Sequence, residues 1–134
     1  MENKPIARKL RLLSQLMELH EVNPFKVKSM ANAAFKVDKL PFPVKNKTTE
    51  ELEKIEGIGK STATKITELL QTGTMAEMET LLAQTPAGVI EMMAIKGIGP
   101  KKVAIIWREL GIENIGELFY ACNENRLVEA KGFG

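Results

Sequence analysis

A chain of 134 residues with 44% hydrophobic content can bury one ordinary core, or two very small ones that share packing. A single cysteine excludes an internal disulfide and a thiolate zinc cage and fits a reducing compartment, while 5% aromatic residues argue against a base-stacking, single-strand-binding platform. The net charge of +2 hides an asymmetry: residues 1–47 carry ten Lys/Arg against four Asp/Glu, and residues 48–134 carry nine against thirteen. A basic first segment points to a polyanionic partner. No apolar run approaches the roughly 20 residues of a membrane span and no signal peptide is visible, so the expectation is a cytoplasmic chain with no membrane partner.

In chain order, residues 4–20 read as an amphipathic helix, with Ile6, Leu10, Leu13, Leu16 or Met17 and His20 at helical spacing and Arg8, Lys9 and Arg11 opposite. His20 is expected to be a capping or surface residue, because no second ligand type clusters with it. Asn23-Pro24 is a helix start, and the helix to about Lys39 is expected to bury Phe25, Met30, Ala33 or Ala34 and Val37. Lys26, Lys28, Lys36 and Lys39 then face solvent or a partner. Leu40 to Val44 breaks the helix, and Thr48 to Glu51 has capping-box spacing. A helix over about Lys60–Thr72 stops at Gly73, and Thr74 with Glu77 repeats the capping-box spacing for a helix through Ala83. Thr85 to Gly88 links to a second unit, about 88–110, that Gly111 terminates. Asn114 is expected to cap a short helix containing Ile115, Leu118 and Phe119, and Asn123 or Asn125 to start the last one. No stretch alternates as a strand would, so the fold class is all-α, with short helices held by mutual packing.

Two copies of one motif organise these helices. Ile55-Glu56-Gly57-Ile58-Gly59-Lys60-Ser61-Thr62 and Ile95-Lys96-Gly97-Ile98-Gly99-Pro100-Lys101-Lys102 share Gly-Ile-Gly between an apolar lead-in and a helix start, with Ala63 and Ile66 matching Val103 and Ile106. The glycines permit a tight turn, the isoleucine anchors it, and the second helix offers its first N–H groups to a phosphate. This is the helix-hairpin-helix pattern. Gly57, Ile58, Gly59, Lys60, Gly97, Ile98, Gly99, Lys101 and Lys102 are its candidate DNA-binding residues, with Lys26 and Lys28 adding charge. Leu127 to Gly134 is a third half-copy, and we read the sequence as the amino-terminal part of something longer. The expected division is 1–84, a helical domain with the first hairpin, and 85–134, a second hairpin subdomain ending in the partial third.

Residues 1–134 as a whole resemble the amino-terminal part of a family X DNA polymerase, the DNA polymerase beta family in its bacterial form. Asn23 to Lys28 followed by Ala33-Ala34, then Ile55 to Ile66, then Ile95 to Ile106 come in that family's order, and Lys131-Gly132-Phe133-Gly134 matches the region before its palm. The resemblance implies a lyase-like domain whose first hairpin grips the downstream side of a DNA gap near its 5′-phosphate, and a second hairpin on the primer side. It implies gap-filling repair in a bacterial cytoplasm at the nucleoid, no required cofactor, and a monovalent cation at the hairpin carbonyls. Lys65 matches the lysine with which family lyases form a Schiff base on an abasic 5′ end, and Lys26 a phosphate-binding lysine. Met30 and Ser61 stand where eukaryotic members have tyrosine and lysine.

Asp38 is the only aspartate, so the clustered carboxylates of two-metal nucleotidyl transfer are missing, and Gly-Ile-Gly-Lys-Ser lacks phosphate-loop spacing. This stretch holds no polymerase site. The function expected is sequence-independent binding of gapped or nicked duplex by a monomer through phosphate contacts. One alternative is 5′-deoxyribose-phosphate lyase activity at Lys65. Another is a protein-interaction adaptor using Met75, Met78, Met92 and Met93, whose blander role is core filling.

Overall fold

The longest helix, α1 (Asn3–Leu19), is the post around which the other elements pack. The computed structural model describes residues 1–123 and shows, among them, eight α-helices and no strand. The third half-copy from Leu127 onward lies outside the described residues, as does Asn125.

The outward face of α1 is narrow because two sets of helices cover it. α2 (Pro24–Lys39) packs along one side, while α5 (Ala76–Ala83) and α7 (Pro100–Leu110) meet it elsewhere. Both members of the pair Leu16 and Met17 are therefore buried, where a one-sided stripe needs only one. In α2 the side chain of Asn23 accepts from Phe25 N–H at 2.8 Å, and Met30, Ala33, Ala34 and Val37 are buried. Phe25 corrects the sequence expectation: it is 82% exposed. At ~100° per residue it lies about 130° around the helix from the middle of the stripe formed by Met30, Ala33, Ala34 and Val37.

Beyond α2 the chain crosses a single 3₁₀ turn at Val44–Asn46, clamped by Asn3, whose amide donates to Phe42 O at 2.8 Å and accepts from Val44 N–H at 2.9 Å. α3 (Thr49–Glu53) opens with the full capping box: Thr48 Oγ1 accepts from Glu51 N–H, and Glu51 Oε1 from Thr48 N–H. Those bonds hold the Glu51 carboxyl below the usual carboxylate range. α4 (Lys60–Thr72) ends at Gly73, which has φ +80.

The second expected capping box does not form. The residue preceding α5 is Met75, whose side chain caps nothing, and the first N–H of α5, from Ala76, donates instead to Glu68 Oε2 at 2.9 Å. Thr74 N–H, the donor Glu77 would have met in a capping box, donates to Thr72 Oγ1 at 3.3 Å, which leaves Glu77 to another contact. α6 (Ala87–Met93) and α7 form the second hairpin, Gly111 stops α7 at φ +67, and Asn114 caps α8 (Ile115–Asn123) through Glu117 N–H at 2.8 Å. Met75, Met78 and Met92 are buried and half-buried Met93 packs against the same core, so these four methionines serve as core filling.

Candidate nucleic-acid interface

The two hairpin turns have nearly the same geometry. Gly57 and Gly97 have φ +92 and +90, values that L side chains rarely adopt. Gly59 and Gly99 are extended, at φ −87 and −94 with ψ near 180°, which any residue can take. Only the first glycine of each pair is thus required by the backbone; the second leaves open space, since a Cβ at Gly59 or Gly99 would meet nothing within 4 Å. Inside each turn Ile58 N–H donates to Ile55 O at 3.0 Å and Ile98 N–H to Ile95 O at 3.2 Å. Ile58 is buried and Ile98 half-buried against the core, so each turn is pinned from beneath.

The residues before both second helices are glycines with no side chain to cap them, so the first turns of α4 and α7 open toward solvent with their helix dipoles uncompensated. The copies differ in donors and charge. Lys60 opens α4, whereas Pro100 opens α7 and supplies no N–H. Exposed Glu56 sits beside the first turn and exposed Lys96 beside the second, with Lys101 and Lys102 exposed on α7. Lys36 of α2 also approaches the first turn: its aliphatic stem lies against Gly57, within 3.8 Å of where a Cβ would stand.

A shallow groove joins Ser29 and Asn32 of α2 to Gly57, Gly59 and Lys60, so the basic helix and the first hairpin form one continuous surface. Beside it lies a cavity of about 250 Å³. Met17 and Met30 give it apolar walls, Phe25 stands at its rim, and Lys26, Ser29, Ser61, Thr62, Lys65 and Glu77 supply the polar groups. Lys65 Nζ is 3.2 Å from Ser61 Oγ and 3.3 Å from Glu77 Oε2. The fold therefore brings Lys26 and Lys65 together. It does not bring Lys60, which lines the adjoining groove, or Lys28, which lines another hollow with Glu18, Glu21 and Val22.

Sequence reasoning missed several members of this region, Ser29 and Asn32 of α2 among them, and misplaced two others. Phe25 stands at the cavity rim, and the period of its own helix could have shown that. Glu77 is twelve positions from Lys65 and on another helix, and the capping-box donor it would have met, Thr74 N–H, is taken by Thr72 Oγ1. His20 is the residue that caps the carboxyl end of α1, as expected, and its side chain does more than cap. Its ring is half-buried between Thr85 and Arg108, with its edge against Trp107 at 5.5 Å between centroids.

Among the described residues no group of three or more His, Cys, Asp or Glu is placed to hold a metal ion, and no helix is long and apolar enough to cross a membrane.

Comparison with known proteins agrees with this geometry. Residues 1–75 match a helix-hairpin-helix domain family and residues 89–134 a SAM-like helix-hairpin-helix tandem family. The chain is 31% identical over all 134 residues to "DNA polymerase/3'-5' exonuclease PolX" of Bacillus subtilis (strain 168). It spans 23% of that relative's length. With a family match over more than half its length and two turns of nearly the same glycine geometry, the chain belongs to the helix-hairpin-helix domain family and is similar throughout to the amino-terminal region of a family X DNA polymerase.

Proposed function

We propose that this chain is the sequence-independent DNA-binding part of a gap-filling repair polymerase, holding gapped or nicked duplex as a monomer through its phosphates. One observation carries the reading: two pinned Gly-Ile-Gly turns of equal backbone geometry, each opening an uncapped helix start beside lysines. Each turn can present N–H donors and charge to one or two phosphate oxygens of a strand, which positions duplex without reading bases. Two such clamps in one chain suit the two duplex arms that flank a gap. The nucleoid of a bacterial cytoplasm is the setting that follows. Ile55 O and Ile95 O each accept one hydrogen bond and keep a second lone pair, which fits a weakly held monovalent cation at either turn.

The test is competition between a single-nucleotide-gapped duplex and the same duplex unbroken, read by fluorescence anisotropy. Preference for the gapped form is expected. Equal affinity would reduce the reading to a general duplex clamp.

A second reading has one observation in its favour: Lys65 and Lys26 share a cavity beside the first hairpin. Lys65 Nζ, as the free amine, would attack C1′ of an abasic 5′ sugar, lose water to give a Schiff base, and so allow β-elimination at C3′. Borohydride trapping on an incised abasic site tests it. A covalent adduct absent from Lys65→Ala supports the lyase; no adduct with the unsubstituted chain ends it.

A further inference from the structure

The outward face of α2 carries a ring in water. Exposed Asn32, Phe35 and Lys39 recur at helical spacing, so at ~100° per residue they share one stripe, with Lys36 at its edge. Phe35 is 62% exposed, and Lys39 Nζ stands 5.6 Å from the centroid of its ring. Asp38, the one acidic residue of the helix, is taken by Lys4 at 3.4 Å; among the described residues Lys36 and Lys39 pair with no carboxylate. The stripe is continuous with the first hairpin. Asn32 lines the groove that holds Gly57, Gly59 and Lys60, and the stem of Lys36 lies against Gly57. Phe25, the other exposed ring of α2, is ~15 Å away along the helix axis and stands at the rim of the separate cavity. Lys28, on the same stripe, shares its hollow with Glu18 and Glu21, so the unbalanced charge lies at the Lys36–Lys39 end.

An exposed ring beside unpaired ammonium groups fits a partner that is flat and apolar on its faces and anionic along its edge, which describes a nucleotide of an unpaired strand. Bases inside a duplex have their faces buried in the stack, and reaching a ring on a convex helix would cost unstacking. We propose that the outward face of α2 takes the unpaired template strand of a gap: one base stacks on Phe35, Lys36 and Lys39 meet its phosphates, and Asn32 lies between this contact and the first hairpin turn. The inference rests on the DNA-binding reading above. The template is the strand that stays joined to the duplex on both sides of a gap, so where it leaves the arm held by the first hairpin it must cross the surface beside that turn. One ring takes one base, so a chain poor in aromatic residues can make this contact without a platform of rings.

The experiment compares a nicked duplex, which has no unpaired template, with a duplex bearing a three-nucleotide gap, for the unsubstituted chain, Phe35→Ala and Phe35→Trp, by fluorescence anisotropy. Phe35→Ala is expected to weaken binding to the gapped duplex about tenfold, the scale of one base–aromatic stack. Its affinity for the nicked duplex should be unchanged, which also reports that the variant is folded. Phe35→Trp should bind the gapped duplex at least as well as the unsubstituted chain. An equal loss on both duplexes, or no loss on either, would overturn the inference while leaving hairpin binding intact. A loss confined to a nick carrying a 5′ flap would also overturn it, since the face would then serve a displaced strand. Failure of the unsubstituted chain to bind either duplex at low salt would overturn the DNA-binding reading and this inference together.

Discussion

His20 Nε2 lies 2.7 Å from Thr85 Oγ1, a hydrogen bond that ties the carboxyl end of α1 to the segment between α5 and α6. Thr85 hydroxyl donates onward to Leu81 O at 2.6 Å, so it must accept from the ring. Arg108 Nη2 faces Nδ1 at 3.4 Å and can only donate, which assigns the neutral imidazole its proton on Nε2. Arg108 Nε also donates to Leu19 O at 3.3 Å, and its guanidinium stacks 4.9 Å from the Trp107 ring. One histidine thus joins the first hairpin unit to the second.

That junction titrates. Burial, and then the Arg108 charge, hold the His20 pKa below its ordinary value. The unfolded chain therefore binds the proton more readily as pH falls below ~6.5. The contribution to stability is fully present above that pH and is lost as pH drops toward the folded-state value. Thermal unfolding by circular dichroism should give a lower Tm at pH 5.5 than at pH 7.5, with the difference reduced in His20→Gln. An equal difference in both proteins would place the titration elsewhere.

Gly88 marks a close approach of a different kind. A Cβ there would stand 2.1 Å from Glu113 O and 2.8 Å from Asn114 Cβ, so α6 meets the loop before α8 with no room for a side chain. Gly88→Ala must displace backbone and should cost ~1–3 kcal/mol, as overpacking does. Denaturant unfolding measures it. A stability within error of the unsubstituted chain would mean that the loop yields freely.

The capping box at Thr48 orients the start of the first hairpin. Thr48→Ala removes the acceptor for Glu51 N–H and should lower stability by ~1 kcal/mol. Its effect on DNA affinity should be small, because neither residue lines the groove beside the turn. A large loss of affinity at unchanged stability would place Thr48 at the interface.

Local chemistry made most of the helices legible: Asn23-Pro24, Thr48 with Glu51, Gly73, Gly111 and Asn114 all act in the structure as their residue types dictate. The failures are tertiary. Thr74 and Glu77 have the spacing of a cap, yet Thr74 N–H donates to Thr72 Oγ1 and a carboxylate from another helix takes Ala76 N–H. His20 belongs to a network with Thr85 and Arg108 that no spacing reveals, because its members are 65 and 88 positions away. The hairpins themselves were readable as motifs, but the unequal work of their glycines was not. Sequence cannot tell a glycine kept for its φ, such as Gly57 or Gly97, from one such as Gly59 or Gly99 that leaves space.

That inequality separates fold from binding. Gly57→Ala or Gly97→Ala forces an L side chain to positive φ and should destabilise the turn by ~1–2 kcal/mol. Gly59→Ala and Gly99→Ala should leave Tm nearly unchanged, since their backbone is extended and the added methyl meets nothing. The methyl would instead stand where a phosphate approaches the helix start.

The most direct measurement is therefore the affinity of the Gly59→Ala, Gly99→Ala double variant for single-nucleotide-gapped DNA across a salt series, beside the unsubstituted chain. We predict an unchanged Tm, an affinity at least about tenfold weaker, and a shallower fall of log K with log salt as phosphate contacts are lost. An affinity and salt slope equal to those of the unsubstituted chain would contradict phosphate binding at the two turns.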